Sequence, residues 1–197
     1  MPGILSKHPV FFQAGCFVFS SLPIRDYDTV VTFEKSTGIF NRLGTVVIKL
    51  ILEHIQIIYN HAERTYPEEC CGILLGNLTD GDKIALEVIP TENAWNTEAA
   101  YFPADRSLYS SKKRYAIAPQ TMLQIQREAR NRALNIIGIY HSHPDYPPIP
   151  SAWDSLYAWV EYSYIIVSVQ NGKARECQSW SLDDYHQFQS EIIEQTT

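Results

Sequence analysis

The chain has 197 residues, 45% of them hydrophobic, and a formal net charge of −6. That length accommodates one domain with a sizeable core and some surplus. The acidic balance argues against general nucleic-acid binding, which needs a basic face, and no run of about 20 apolar residues is present to cross a membrane as a helix.

Residues 1–44 are read as an N-terminal extension outside the fold, and 45–197 as the working domain. Lys7 and His8 precede an apolar stretch from Val10 to Phe19, and Ala14-Gly15-Cys16 has the outline of a lipoprotein cleavage site. Gln13 stands where such sites take leucine, and Gln13 and Gly15 weaken the apolar stretch. An extension produced by a start codon assigned upstream accounts for the segment better, and N-terminal peptide mapping of the native protein decides it.

Thr45 to Leu50 reads as a strand. From Ile51 to Arg64 the apolar residues Ile51, Leu52, Ile55, Ile58 and Tyr59 follow a helical period, ended by Pro67. His54 and His61 lie on this helix as surface or packing residues rather than ligands. Cys70 to Leu75 is a buried strand bounded by Gly76-Asn77. Thr79-Asp80-Gly81-Asp82 is a turn, and Lys83 to Pro90 returns as the second strand of a hairpin. Thr91 to Lys113 is polar and irregular, either a surface loop with satellite packing by Trp95, Tyr101, Phe102 and Tyr109 or a substrate-facing flap. Arg114 to Ala118 is expected as a short strand. Pro119 opens a helix at a position that tolerates proline, running to about Ala133.

Ile136 to His141 is an apolar strand, and the polar cluster His141-Ser142-His143-Pro144 follows it directly. Asp145 to Pro150 holds three prolines and is a stiff linker. Ser151 to Glu161 is expected as a helix, Tyr164 to Val169 as a buried strand, Asn171-Gly172 as a tight hairpin turn and Glu176 to Leu182 as the returning strand. The tail from Asp183 fits helix or strand equally, and His186 in it is expected to face solvent. Strands interleaved with long helices imply a mixed α/β sheet flanked by helices.

Cysteines stand at positions 16, 70, 71 and 177, without a C-x-x-C pair, and Cys70 and Cys71 are adjacent. A structural zinc ribbon is therefore not supported. The reading is reduced, mostly buried thiols in a cytoplasmic protein.

The chemistry concentrates after residue 140. In a strand, residues i and i+2 point to one face, so the imidazoles of His141 and His143 leave the strand together. Asp154 follows eleven residues after His143. Each fragment has an ordinary explanation: two histidines can be a polar strand exit, and Ser151-Ala152-Trp153-Asp154 is a plausible helix cap with an acid at its third position. Together they form H-x-H-P-x(6)-S-x-x-D, and two histidines with one carboxylate and an open fourth position are a ligand set of catalytic zinc. Capping need not compete with ligation, because Ser151 can start the helix and so aim Asp154.

This pattern resembles the JAMM motif of JAB/MPN-domain metalloproteases. The stretch Tyr66-Pro67-Glu68-Glu69-Cys70-Cys71-Gly72-Ile73-Leu74-Leu75-Gly76 is similar to the P-x-E-x-C-G-x-L-x-G form of compact prokaryotic members. The resemblance runs from about Val46 to about Ser181. It implies an α/β/α sandwich around a curved mixed sheet, with a cytidine deaminase-like architecture. It implies one zinc ion per chain on His141, His143 and Asp154. Glu69 is implied as general base and then general acid, with Glu68 merely exposed. Ser151 is implied as hydrogen-bond donor to the developing oxyanion.

An amide resists hydrolysis because water is a poor nucleophile and the amine a poor leaving group. Zinc lowers the pKa of a water it holds from about 16 to about 7. A carboxyl serving as base and then acid needs a raised pKa, which the apolar run beside Glu69 can supply. No H-E-x-x-H, G-x-S-x-G or deaminase H-x-E with P-C-x-x-C occurs.

The resemblance further implies cleavage of a peptide or isopeptide bond after the C-terminal tail of a ubiquitin-like or sulfur-carrier protein, with the tail added along a sheet edge. Two alternatives stay open at this point: a non-catalytic scaffold of the same fold, and a zinc hydrolase of small peptides. No membrane partner is expected.

Overall fold

Apolar runs spaced by two tight hairpins and two amphipathic helices build a mixed sheet. The computed structural model describes residues 47–98 and 110–196. The expectations for residues 1–44, for Cys16 and for Tyr101, Phe102 and Tyr109 lie outside these. In chain order the elements are β1 (Val47–Ile51), α1 (Leu52–Thr65), β2 (Cys71–Thr79), β3 (Asp82–Thr91), α2 (Trp95–Glu98), α3 (Pro119–Asn131), β4 (Asn135–Pro144), α4 (Ala152–Tyr157), β5 (Ser163–Gln170), β6 (Lys173–Leu182) and β7 (Phe188–Thr196).

The seven strands lie in the order β1-β3-β2-β4-β5-β6-β7, and the sheet closes on itself because β1 pairs in parallel with both β3 and β7. The mixed α/β sheet is as expected, and its closure goes beyond the expected α/β/α sandwich around a curved sheet. The ambiguous tail accounts for the difference: it forms β7, which supplies β1 with a second neighbour and removes both exposed edges. Both hairpin turns use left-handed residue pairs, Asp80-Gly81 and Asn171-Gly172, all with positive φ, as a two-residue turn between twisted strands requires.

Alternation sorts the core into two clusters. Ile73 and Leu75 of β2 pack with Met122, Ile125 and Ala129 of α3. Leu74, between them, packs with Ile58 and Ala62 of α1, as the two-residue period of a strand dictates. β4 divides the same way, with Ile139 in the α3 cluster and Tyr140 in the α1 cluster. Both helix histidines serve packing. His54 is buried, with Nδ1 accepting the Ile51 N–H at 3.4 Å. His61 Nδ1 lies 2.8 Å from the Tyr140 hydroxyl.

Three segments depart from expectation. β2 runs past Gly76 to Thr79, with a register shift at Leu75/Gly76. Gly76 therefore marks a bulge rather than a strand end. Residues 114–118 form no strand, although Tyr115, Ala116 and Ile117 are buried. Arg114 and Ala116 bond the Asn93 side chain, and the Ala116 carbonyl accepts from the Ala94 N–H, in place of a neighbouring ladder. α4 stops at Tyr157 instead of Glu161. Ala158 turns extended and the Trp159 N–H bonds the Tyr164 hydroxyl at 2.7 Å, which satisfies a group that a longer helix would have paired internally.

A β-carbon on Gly76 would lie 2.0 Å from the Ile84 carbonyl oxygen and 2.9 Å from Ile137 Cδ1. Gly76→Ala is expected to destabilise by at least about 1–3 kcal/mol, as overpacking against backbone does. Denaturant unfolding of the variant measures it, and an unchanged midpoint would mean that β2 and β3 do not meet at this register.

Candidate metal centre

Glu69 and the two histidines are more than seventy residues apart in the chain, and strand pairing brings them together. β2 and β4 run antiparallel with Cys71 opposite His141. Continuing that register outward places Cys70 beside Ser142 and Glu69 beside His143. Two further bonds hold this extension: the Cys70 N–H donates to Ser142 Oγ at 2.9 Å, and the Ser142 N–H donates to the Cys70 carbonyl at 3.2 Å. Because side chains alternate, Glu69, His141 and His143 share the face that carries the α3 cluster.

The His141 and His143 Nε2 atoms are 3.1 Å apart. Asp154 Oδ1 lies 3.5 Å from His141 Nε2, and Oδ2 lies 3.9 Å from His143 Nε2. One ligand atom from each of the three falls within 4.8 Å of the others. His143 Nδ1 is 2.8 Å from the Pro147 carbonyl oxygen, which can only accept. The proton therefore sits on Nδ1, leaving the Nε2 lone pair facing the centre. His141 is fully buried, and burial lowers its pKa to about 4, with His143 adding to the shift and Asp154 opposing it. Its imidazole is thus neutral at physiological pH, and its ring stacks on Tyr115 at 4.6 Å. Two imidazole Nε2 atoms and a carboxylate converging on one point form a donor set that fits a divalent cation.

α4 aims the third ligand. Ser151 caps it: Asp154 N–H donates to Ser151 Oγ at 3.2 Å, and Ser151 N–H donates back to Asp154 Oδ2 at 2.7 Å. The Ser151 hydroxyl also donates to that oxygen at 2.6 Å. The expected capping box is present with its acid turned toward the histidines. In this arrangement the Ser151 proton lies on Asp154 rather than pointing into open space.

The two acids sit in opposite environments. Burial pushes the Glu69 carboxyl well above the usual carboxylate range, the nearby Asp154 charge pushes it further, and Arg114 opposes both. For Asp154 burial acts the same way, but His141, Ser151 and His143 together overcome it and hold the carboxyl below the usual range. A pair of carboxyl groups with separated pKa values is the pattern of an acid–base site. Both line a cavity of about 310 Å³, together with Arg114, Tyr146, Ile149 and Trp153.

Of the five residues singled out in the sequence, Glu69, His143, Ser151 and Asp154 line this cavity, and His141 lies fully buried behind it against His143 and Asp154. Glu68 does not join them, being bonded instead to Ser111 Oγ at 2.7 Å. Sequence reading missed several supporting groups. Tyr115 stacks on His141, and the Arg114 guanidinium lies 4.9 Å over the Trp153 ring. Asn93 touches both Glu69 and Arg114. The readable signal was Asn93 itself, whose Oδ1 accepts the Trp95 N–H two residues on in an Asx turn.

The sequence matches the family of prokaryotic homologs of the JAB domain over residues 52–183. The protein belongs to that family. Its resemblance to JAB/MPN proteins, drawn from the motif, stands on the same residues. It is 28% identical over 123 residues to a desampylase of Haloferax volcanii, an alignment covering 62% of this chain and 76% of that protein. A solution structure of a Desulfitobacterium hafniense protein superposes with a TM-score of 0.61 at 26% identity, covering 76% of this chain and 92% of the other. One from Salinibacter ruber gives 0.55 at 30% identity, with 75% and 90% covered.

Folding raises the Glu69 pKa, so in protein stripped of metal by a chelator it contributes most favourably below the unfolded value and loses that contribution as pH rises through the folded value. Glu69→Gln, which cannot ionise, is therefore expected to gain stability over the wild type between pH 5 and pH 8. Paired denaturation curves at the two pH values check this, and an equal difference at both would contradict the buried, desolvated carboxyl.

Proposed function

We propose that this protein is a metal-dependent hydrolase of the JAMM type that cleaves a peptide or isopeptide bond after the C-terminal tail of a ubiquitin-like or sulfur-carrier protein. The observation that carries the reading is the convergence of His141, His143 and Asp154 within 4.8 Å, beside a buried Glu69 of raised pKa. The Haloferax relative supports the substrate class, since a desampylase acts on conjugates of a ubiquitin-like protein.

His141 Nε2, His143 Nε2 and an Asp154 oxygen would hold the ion, and zinc suits two imidazoles and a carboxylate. Bound there, it would supply Lewis acidity toward the scissile carbonyl and toward water near neutral pH. The protein's own groups do the rest. Glu69 takes a proton from the attacking water and delivers it to the departing nitrogen, a double task that a raised carboxyl pKa suits. Asp154 offsets one of the two positive charges. The Ser151 hydroxyl, now on Asp154 Oδ2, would turn to donate to the developing oxyanion. The Arg114 charge opposes the rise in the Glu69 pKa and so favours the ionised form that accepts the proton.

A scaffold without activity would have no use for two imidazoles aimed at a carboxylate, nor for a second buried acid of raised pKa lining the same cavity. Burying such groups without a partner is costly. The retained ligand set therefore supports the enzyme over the scaffold.

Purified wild type is expected to carry about one zinc per chain by elemental analysis, and His143→Ala and Asp154→Ala to lose it. A folded wild type that neither holds nor takes up zinc would sink the hydrolase reading and promote the scaffold. Glu69→Gln is expected to keep the metal and to lose about 100-fold or more of its turnover on a ubiquitin-like carrier with a C-terminal amide adduct. Assaying the same enzyme on short peptides separates carrier recognition from general peptide hydrolysis.

A further inference from the structure

Asn93 lies two residues beyond β3, and its side-chain amide makes four hydrogen bonds. Nδ2 donates to the Glu69 carbonyl at 2.9 Å and to the Arg114 carbonyl at 3.0 Å. Oδ1 accepts the Trp95 N–H at 2.9 Å and the Ala116 N–H at 3.2 Å. A primary amide has two donor hydrogens and two acceptor lone pairs, so these partners use its whole capacity.

The segments it joins lack a ladder of their own at these points. Glu69 precedes β2, and residues 114–116 belong to no strand. The amide acts there as a surrogate peptide group: it donates to Arg114 and accepts from Ala116 as a neighbouring strand would. It also completes the grip on Glu69, whose N–H donates to the Ser111 carbonyl at 2.8 Å while its C=O accepts from Asn93. With both backbone groups bound, the Glu69 side chain leaves the chain from a fixed base. The third connection closes a circuit. Trp95, whose N–H is bound by Asn93, packs edge-on against Trp153 at 5.8 Å, and Trp153 lies beneath the Arg114 guanidinium.

We propose that Asn93 is a positioning residue for hydrolysis, its amide holding Glu69 and Arg114 at one spacing across the cleft. It touches no reacting atom and acts through Glu69. The inference rests on Glu69 serving as the proton carrier.

Asn93→Asp keeps the size and both acceptors of the side chain, loses both donors, and sets a carboxylate oxygen against two carbonyl oxygens. Thr91→Val is the matched control. It removes the buried bond from Thr91 Oγ1 to the Cys71 carbonyl at 3.1 Å and touches neither Glu69 nor Arg114. On the zinc-loaded full chain with a carrier adduct, Asn93→Asp is expected to lower kcat about 100-fold, as a misplacement of order 1 Å does. KM should stay within about threefold, since ground-state binding is not what the amide supplies. Zinc stoichiometry should be unchanged, and Thr91→Val should keep its kcat at a comparable fall in melting temperature. Amide hydrogen exchange gives a readout independent of turnover. In Asn93→Ala it should quicken at residues 69–71 and 114–116 while α1 stays protected. Turnover in Asn93→Asp equal to that of Thr91→Val would overturn the inference, as would exchange quickened uniformly across the chain. A zinc-loaded wild type inactive on every amide would instead overturn the reading of function.

Discussion

The pairing of β2 with β4 is the constraint on which the site depends. A sheet register is set by which hydrophobic face is buried, and a slip of one residue would turn every side chain over. Here the apolar residues Ile73, Leu75 and Ile139 must meet the α3 cluster, and that requirement fixes Cys71 opposite His141. Glu69 then falls beside His143 with no further adjustment. Gly72 belongs to the same constraint. Its β-carbon would come within 2.3 Å of the Tyr140 ring, so the close approach of the two strands requires a residue without a side chain. The core and the chemistry thus share one register, and a packing error in β2 would be felt as a misplaced acid.

Given that register, the environment of each acid decides its role. Asp154 receives three hydrogen-bonding or charged neighbours, and Glu69 receives apolar surroundings, a like charge and one opposing cation. These are the three ways a protein moves a pKa, applied in opposite directions within one cavity. The Pro147–Pro148 turn contributes a less obvious part. The Pro147 carbonyl takes the His143 Nδ1 proton, and the Pro148 carbonyl accepts from Trp180 Nε1 at 2.9 Å. The stiff linker therefore orients a ligand and is itself anchored to β6.

Local chemistry was legible in the sequence and long-range pairing much less so. The His141/His143 alternation, the Ser151–Asp154 cap and both hairpin turns follow from rules acting over two to four residues, and each is present. The helix over α1 and the strand after it could be read from period and punctuation. Placement of Glu69 could not be judged by spacing, because nothing local encodes which strands neighbour one another; it came only through resemblance. Residues 114–118 looked like a strand because they are apolar, yet apolarity reports burial and not ladder bonds. Their partner is a side chain, Asn93, and no periodicity announces that. β7 stayed ambiguous between helix and strand for the opposite reason: its outward face is polar and one of its two ladders is a parallel pairing with β1, and the five-residue turn from β6 carries no Gly to mark it.

Closure through β7 also explains a buried charge cluster that the cleft does not use. Lys83 and Glu191 are both buried, with Nζ and Oε1 3.7 Å apart across β1. Lys83 donates to Ser163 Oγ at 3.0 Å, Ser163 donates to Glu191 Oε1 at 2.8 Å, and Ser179 donates to the other Glu191 oxygen. Four strands, β3, β5, β6 and β7, meet at this point. Each of the four residues lies two positions from one that packs in the α1 cluster, namely Ala85, Ile165, Cys177 and Ile193. They therefore occupy the same face as that core. A buried ion pair adds little net stability over an apolar filling, because desolvation offsets the attraction, but an unpaired member is strongly unfavourable. The cluster thus penalises any pairing of β7 that moves Glu191 off Lys83. The antiparallel ladder with β6, closed by the turn at residues 183–187, already sets the register of β7, and this contact adds a penalty for leaving it. The sheet is held in register by hydrophobic alternation where β2 meets β4, and buried charge between β3 and β7 reinforces the ladders that close it.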